Sequence, residues 1–199
     1  MNECVCAITG HRPSRFKFKY SVDYALCKKI KANMLEVFRK LHDEKEVRRF
    51  YVGGALGVDM WAAEQILRLK EQPGYEDIEL VVALPFVGHD AKWDQRSKRR
   101  MEFILQHCSK KEVIGNEDCR ESYVKRNCYM VDQANYLVAV YDDGRNLRSG
   151  TMQCVRYARK NDVPVVLIHP DTANITYPME SIKSAGCDLT NNNISWKKR

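Results

Sequence analysis

The sequence predicts an α/β fold, a three-layer sandwich with a mainly parallel, doubly wound sheet, and three observations favour it. Short runs rich in Val, Ile and Leu alternate with helical patterns along most of the chain. The runs are apolar throughout, which is typical of strands buried on both faces of a parallel sheet. Strands that alternate with helices are joined by right-handed crossovers, which place helices on both faces of the sheet.

Six segments are predicted strands: CVCAIT (4–9), RFYVGG (49–54), IELVVALPF (78–86), KEVIG (111–115), YLVAVYD (136–142) and PVVLIHP (164–170). The first helix is predicted from about Val22 to Leu41, because apolar residues recur there at helical spacing and share one face. Four further helices are predicted after Gly57 and near Trp93, Arg120 and Ser149.

Length and pattern indicate one folded unit. A chain of 199 residues is long enough to bury a sizeable core. The alternation of strands and helices ends at Pro170, and the sequence beyond it is polar and rich in turn-forming residues. We therefore predict a folded domain over residues 1–170 and a polar C-terminal tail over residues 171–199.

Composition restricts the partner and the compartment. The net charge of +7 suits an anionic partner, either a small ligand or a nucleic acid, although the basic residues are scattered along the chain. No apolar run approaches the roughly 20 residues of a membrane helix. The N-terminus lacks the pattern of a signal peptide, so we expect a cytoplasmic protein without a membrane partner. The eight cysteines form no CxxC pair, which predicts reduced thiols and no metal site.

The corners that follow the strands are where ligands bind in open α/β sheets. At the first corner, Thr9 offers a hydroxyl, Gly10 permits a tight turn, and Arg12 has the geometry to clamp an anion. An ordinary loop with a surface arginine explains this corner equally well.

The second corner places three glycines within five positions. We expect Gly53 and Gly54 to let a phosphate or sugar approach the backbone, beside the positive end of the helix that begins near Gly57. Asp59 lies in the first turn of that helix, where a ribose hydroxyl is its most plausible ligand partner. A tight turn and a helix-start aspartate are the alternative, and the pattern is neither a dinucleotide-binding fingerprint nor a Walker loop.

Two further corners carry aromatic, basic and amide side chains. Phe86 and Trp93 are candidates for stacking on a base, and Arg96 for contacting a phosphate, although Phe86 suits the core equally well. Arg126 precedes Asn127, which falls on the predicted buried face of its helix and therefore needs polar partners. Asn127 either shapes a neighbouring loop or touches a ligand.

The fifth corner is a polar loop that starts at Asp142 and ends in Ser149-Gly150-Thr151 at a helix start. Ser149 suits the N-cap position on structural grounds alone. With the space left by Gly150 and the hydroxyl of Thr151, the same corner also predicts a second phosphate-binding loop.

Taken in order, the motifs ITGHRP, GGALGVDMWAAE, LPF, KRNCYMVDQANYLVAVYD and SGTMQCVRYARKNDVPVVLIHP resemble the YpsA-like family. That family belongs to the SLOG superfamily, which includes LOG-type nucleotide hydrolases and DprA, a single-stranded DNA-binding protein. The resemblance spans about residues 5–170 and implies a Rossmann-like domain in a bacterial or phage protein. It implies a nucleotide-type ligand near Gly53, Gly54, Asp59, Arg126, Asn127, Ser149, Gly150 and Thr151.

The chain departs from both better-known branches. LOG hydrolases cleave the N-glycosidic bond of nucleoside monophosphates with the glutamate of a PGGxGTxxE motif, and Cys154 stands in the place of that glutamate. Asp59, Asp132 and Asp142 are substitutes that the sequence does not separate. Compared with DprA, the chain lacks an obvious added DNA-binding module. The candidate strand groove, a groove for single-stranded nucleic acid, is the basic run Arg96–Arg100 with the aromatic residues Trp93 and Phe103.

The sequence therefore predicts a protein that binds a nucleotide or nucleotide-derived small ligand, for sensing or sequestration, in a pocket at the carboxyl ends of the strands. Two alternatives stay open: a LOG-type nucleotide hydrolase whose catalytic residues the sequence leaves unknown, and a single-stranded nucleic-acid binder related to DprA. No cofactor beyond the nucleotide-derived ligand is indicated. A homo-oligomer is compatible with the resemblance.

Overall fold

The computed structural model describes residues 4–144 and 148–178 of the chain. Its strands are β1 (Cys4–Gly10), β2 (Val47–Val52), β3 (Glu79–Leu84), β4 (Lys110–Val113), β5 (Tyr136–Val140), β6 (Val165–Ile168) and β7 (Ile175–Thr176). Its helices are α1 (Ala25–Lys45), α2 (Val58–Lys70), α3 (Gln95–His107), α4 (Arg120–Asp132) and α5 (Gly150–Lys160), with a short 3₁₀ turn at Pro13–Arg15. Each of the six predicted strands and five predicted helices is present.

The strands form one sheet in the order β4-β3-β2-β1-β5-β6-β7. The pairs among β1 to β6 are parallel, and β7 is antiparallel to β6. The chain builds outward from β1 to β4 and then returns to place β5 on the other side of β1. The predicted doubly wound α/β fold is confirmed, and its switch point, where a crevice opens between diverging connections, lies between β1 and β5.

Two apolar layers cover the sheet. One joins residues of α1, α2 and α3 to one face of the strands, with Trp61, Phe38 and Phe50 among its largest fully buried side chains. The other joins α4 and α5 to the opposite face through residues such as Met130 and Val155. Because both faces are covered, the central strands need apolar side chains in both directions, which explains their continuous apolar sequence.

The packed part of the chain continues past Pro170, where the sequence predicts the start of a polar tail. Ile175 in β7 pairs with Ile168, and Ala173 is fully buried. The amide of Asn33 in α1 donates to the carbonyl oxygen of Ala173 at 2.6 Å, so this segment is fixed to the domain. Residues 179–199 of the predicted tail lie outside the described residues.

None of the helices in the described ranges combines the length and the apolar character that crossing a membrane requires.

Candidate functional site

A cavity of about 1070 Å³ opens at the switch point, beyond the carboxyl ends of the strands. Its walls come from the end of β1 and the loop that follows, from the start of α2, and from α4 and α5. Nine residues that the sequence predicts for the site line it: Thr9, Gly10, Arg12, Asp59, Arg126, Asn127, Ser149, Gly150 and Thr151. The topology therefore brings together side chains from four separate corners.

The cavity wall is strongly basic. Seven of its lining residues are cationic: Arg12, Arg15, Arg120, Arg126, Arg148, Arg156 and Lys160. Among the described residues that line it, Asp59 is the one carboxylate. Concave surfaces lined by one sign of charge concentrate ligands of the opposite sign, so this wall favours an anion.

Arg126 is the most unusual of these cations because it is almost completely buried. Its side chain is 6% exposed, and its Nη1 atom lies 3.5 Å from Oδ2 of Asp59, a long ion pair. Its Nε atom is buried without a hydrogen-bond partner, the only such side-chain atom in the described part of the chain. Burial lowers the pKa of Arg126 and raises the pKa of Asp59. A buried donor without an acceptor is costly, so Arg126 is a cation whose hydrogen bonds are incompletely satisfied.

Asp59 faces inward from the first turn of α2. Its Oδ2 accepts a hydrogen bond from the backbone N–H of Ala55 at 3.2 Å, which shapes the loop between β2 and α2. Its side chain is 9% exposed. The carboxylate therefore serves mainly as a counter-charge and loop support.

The glycines of the second corner leave space that protein atoms fill. A Cβ atom on Gly53 would collide with Nη1 of Arg126, so the missing side chain is what admits this guanidinium. Gly54 has a positive φ of 66°, and a Cβ there would lie 2.7 Å from Cδ2 of Leu84. At Gly57 the φ is 95°, and a Cβ would lie 2.7 Å from the carbonyl oxygen of His11. None of the three lines the cavity, which at this corner is formed by Ala55 and Asp59.

The start of α5 forms the opposite wall. The Oγ atom of Ser149 accepts a hydrogen bond from the N–H of Met152 at 3.1 Å, which is the N-cap that the sequence predicts. A Cβ on Gly150 would lie 3.6 Å from Nδ2 of Asn127, so α4 and the first turn of α5 meet here. We call Arg126, Asn127 and residues 149–151 the inner end of the cavity. It combines a guanidinium, an amide and the positive end of a helix.

Cys154 lies in the second turn of α5 and is buried, with 2% of its surface exposed. Burial raises the pKa of its thiol to about 12. The group therefore stays protonated at neutral pH and cannot replace a carboxylate.

Seven predicted site residues lie outside the cavity wall: Gly53, Gly54, Gly57, Phe86, Trp93, Arg96 and Asp142. Phe86 is buried and contacts the ring of Tyr123 edge-to-face, with 5.8 Å between centroids. Trp93 packs against the core, and Arg96 is exposed on α3, which covers the other face of the sheet. Asp142 lies 3.5 Å from Nε2 of His169. The candidate strand groove at Arg96–Arg100 is thus separate from the cavity.

Sequence reasoning missed Arg15, Arg120, Arg148, Arg156 and Lys160, which all line the cavity. Arg156 and Lys160 follow Ser149 by two and three turns of α5. Their spacing of four residues from one another was visible, but it becomes meaningful only once α5 is known to border the crevice.

Comparison with known proteins identifies the family to which the chain belongs. The family model described as "YspA SLOG family" (YpsA) matches residues 6–173. The chain belongs to this YpsA family of SLOG proteins. It is 34% identical over 166 residues to the SPbeta prophage-derived protein YoqJ of Bacillus subtilis, covering 75% of this chain and 94% of that protein. It is 22% identical over 181 residues to a UPF0398 protein of Bacillus licheniformis, covering 86% of this chain and 94% of that protein.

Two solved structures share the YpsA-family fold. DNA processing protein A (DprA) of Helicobacter pylori, described with its single-stranded DNA binding mode, has a TM-score of 0.53 and 19% identity and matches 83% of this chain. DprA of Streptococcus pneumoniae has a TM-score of 0.54 and 16% identity and matches 82%. The chain spans 65% and 50% of the length of these two structures. At such identities the likeness establishes the Rossmann-like fold.

Proposed function

We propose that the cavity binds a nucleotide or nucleotide-derived ligand and holds a phosphate of that ligand at the inner end. The observation that carries this function is the buried guanidinium of Arg126, whose Nε has no partner in the described part of the chain. A phosphate oxygen is the acceptor that a guanidinium prefers, because the two groups form parallel, charge-assisted hydrogen bonds. The first turn of α5 adds backbone N–H groups to the same phosphate.

The remainder of the cavity suits the sugar and base. Its volume of about 1070 Å³ exceeds what one phosphate fills. The ring of Tyr123 lines the wall and lies 5.8 Å from the guanidinium carbon of Arg12, so an aromatic face and a cation stand together. Both groups stack well on a nucleobase.

We favour binding over LOG-type hydrolysis of this ligand. Cleavage of an N-glycosidic bond relies on a carboxylate near the developing oxocarbenium centre. The motif position that supplies it in LOG hydrolases is occupied here by the buried, protonated Cys154. Asp59 is the remaining carboxylate on the described wall, and it is paired with Arg126 and Ala55. We therefore propose that the protein senses or sequesters the ligand without cleaving it.

A single nucleic-acid strand is the second candidate ligand, and the seven basic residues of the wall favour it. A single-stranded nucleic acid and a nucleotide both present phosphate oxygens to the inner end of the cavity. The DprA structure from Helicobacter pylori, which has the same fold, is described with a single-stranded DNA binding mode.

The test starts with mass spectrometry of small molecules released from the purified protein, followed by calorimetric titration with AMP and pyrophosphate. Thr151→Glu places a carboxylate at the inner end, and we expect it to lower the affinity for AMP at least tenfold. Its control is Arg68→Glu, on an exposed position of α2 beyond the other face of the sheet, which changes the net charge of the protein and leaves the wall intact.

Circular dichroism establishes whether Thr151→Glu is folded. A folded Thr151→Glu variant with unchanged AMP affinity would show that α5 does not hold the phosphate. Absence of released nucleotide together with no heat from AMP, pyrophosphate or an oligonucleotide would overturn the proposed function as a whole. Release of AMP's base during long incubation would instead favour hydrolysis.

A further inference from the structure

Asp59 carries the one carboxylate on the described part of the cavity wall, and it lies against the buried guanidinium. Its Oδ2 atom is 3.5 Å from Nη1 of Arg126 and accepts a hydrogen bond from the backbone N–H of Ala55 at 3.2 Å. Both contacts use Oδ2. Within the described ranges Oδ1 has no hydrogen-bond partner, so this oxygen is available to a ligand in the cavity.

The charges of Arg126 and Asp59 cancel when both groups are ionised. Their side chains are only 6% and 9% exposed, so water and salt screen the carboxylate poorly. A phosphate held by Arg126 would therefore lie beside a second anion at short range. Two acidic groups that share such a site keep one proton between them, because ionising both is costly.

The other charged and titratable groups around Asp59 do not remove this conflict. Arg12, in the loop after β1, is exposed; its charge opposes the effect of burial, which still raises the pKa of Asp59 overall. Burial raises the pKa of the Cys154 thiol in α5 to about 12, so this group is neutral. Burial also lowers the pKa of His11 and of His89, in the loop after β3, which favours neutral imidazoles. The carboxylate therefore keeps a high affinity for a proton.

We propose that Asp59 selects a phosphate group that carries a proton, a terminal phosphate monoester, and rejects sulfate esters and phosphodiesters. This inference rests on the proposed function of the cavity. The P–O–H group donates a hydrogen bond to Oδ1 of Asp59, while the ionised phosphate oxygens accept hydrogen bonds from Arg126. A sulfate ester and a phosphodiester have the same single negative charge as the protonated phosphate ester. They have no O–H group, so their oxygens would face the carboxylate without a donor between them.

The experiment compares AMP with adenosine 5′-sulfate by calorimetry at about pH 6 and about pH 8. The second pKa of a phosphate monoester is about 6, so AMP loses its proton across this range, whereas the sulfate ester has none to lose. We expect AMP to bind at least tenfold more tightly than the sulfate ester at the lower pH, and its affinity to fall at least tenfold at the higher pH. The affinity for the sulfate ester should change less than twofold. Titration of His11 or His89 would instead change both ligands alike.

Asp59→Asn tests the residue itself. The amide keeps an oxygen for the N–H of Ala55 and places N–H donors where Oδ1 stands. We expect the preference for AMP over the sulfate ester to fall below threefold and the affinity for AMP to become insensitive to pH. Asp162→Asn removes the same charge at an exposed position beyond the last turn of α5, and it should keep both properties of the parent protein.

Equal affinity of the parent protein for AMP and adenosine 5′-sulfate would overturn this role of Asp59, and so would an AMP affinity that does not change with pH. Both measurements use the parent protein, so they decide the matter even if Asp59→Asn does not fold. An equal loss for the two ligands in folded Asp59→Asn would also contradict the inference and would fit a ribose hydroxyl as the partner of Asp59. Failure of both ligands to bind the parent protein would instead count against the proposed function.

Discussion

Gly53 is the residue on which the position of Arg126 depends. The Cβ atom of an alanine there would collide with Nη1 and Cζ of Arg126 and lie 2.6 Å from Oδ2 of Asp59. We therefore expect Gly53→Ala to displace the guanidinium, to destabilise the fold by about 1–3 kcal/mol through overpacking, and to lower pyrophosphate affinity at least tenfold. Denaturant unfolding and calorimetry measure the two effects.

Gly150→Ala is the control for the stability effect alone, because Gly150 itself lines the cavity. A Cβ on Gly150 would meet Nδ2 of Asn127 at 3.6 Å, an ordinary contact, and the residue occupies the first turn of α5. The variant is expected to be as stable as the parent protein. Retention of full pyrophosphate affinity in Gly53→Ala would show that Arg126 does not hold the anion.

At the scale of the elements, a polar cluster outside the cavity connects the C-terminal part of α1 to the segment just before β3. The two ring nitrogens of His42 each lie 2.9 Å from a carboxylate oxygen, one of Asp43 and one of Asp77. Burial raises the pKa of Asp77, but the hydrogen bond with His42 and the charge of Arg48 outweigh it, so the pKa is lowered overall. The cluster is exposed to water at its rim, which limits its contribution to stability.

The lowered pKa fixes the sign of a pH effect. A carboxyl group whose pKa is lower in the folded state stabilises the fold above its unfolded pKa, and this stabilisation is lost as pH falls through the folded pKa. Asp77→Asn is therefore expected to lower the free energy of unfolding by about 1 kcal/mol or less at pH 7. The difference from the parent protein should shrink as pH falls below the ordinary value of 3.8 and vanish below the lowered pKa of the folded state. A difference that persists unchanged there would assign the effect to lost packing instead of charge.

Most of the helices and strands were predictable from the sequence. Which side chains contact one another in the folded protein was not. Continuous apolar runs revealed β1, β3, β5 and β6 because burial on both faces leaves few polar positions, whereas the edge strand β4 is mostly exposed and carries three charged residues. β7 escaped because two residues, Ile175 and Thr176, are too few to show a pattern. The three glycines of the second corner were visible, but sequence alone could not say whether a ligand or the side chain of Arg126 fills the space beside Gly53.

At the scale of the whole molecule, several of the basic residues gather at one site, which the composition does not reveal. The sequence carries a net charge of +7, spread over many segments. Folding brings seven of the cations to one cavity, from the loop after β1, from α4 and from the region of α5. Arg120 and Arg156 are far apart along the chain, and they line one cavity because the crossover from β4 to β5 carries α4 beside α5. The net charge of the sequence therefore predicted an anionic partner, but it did not predict where on the protein that partner binds.

A pair of charge reversals separates this local field from the net charge of the protein. Arg15→Glu changes the cavity wall, whereas Arg96→Glu changes an exposed position of α3 beyond the other face of the sheet. Each lowers the net charge by two units, so an effect of total charge would be the same in both. We expect Arg15→Glu to weaken AMP binding about three- to tenfold at low salt and Arg96→Glu to change it less than twofold. The gap should shrink in about 1 M salt, where the screening length falls to about 3 Å. Equal losses in the two variants would assign the attraction to net charge, and a larger loss in Arg96→Glu would move the ligand to the basic run that begins there.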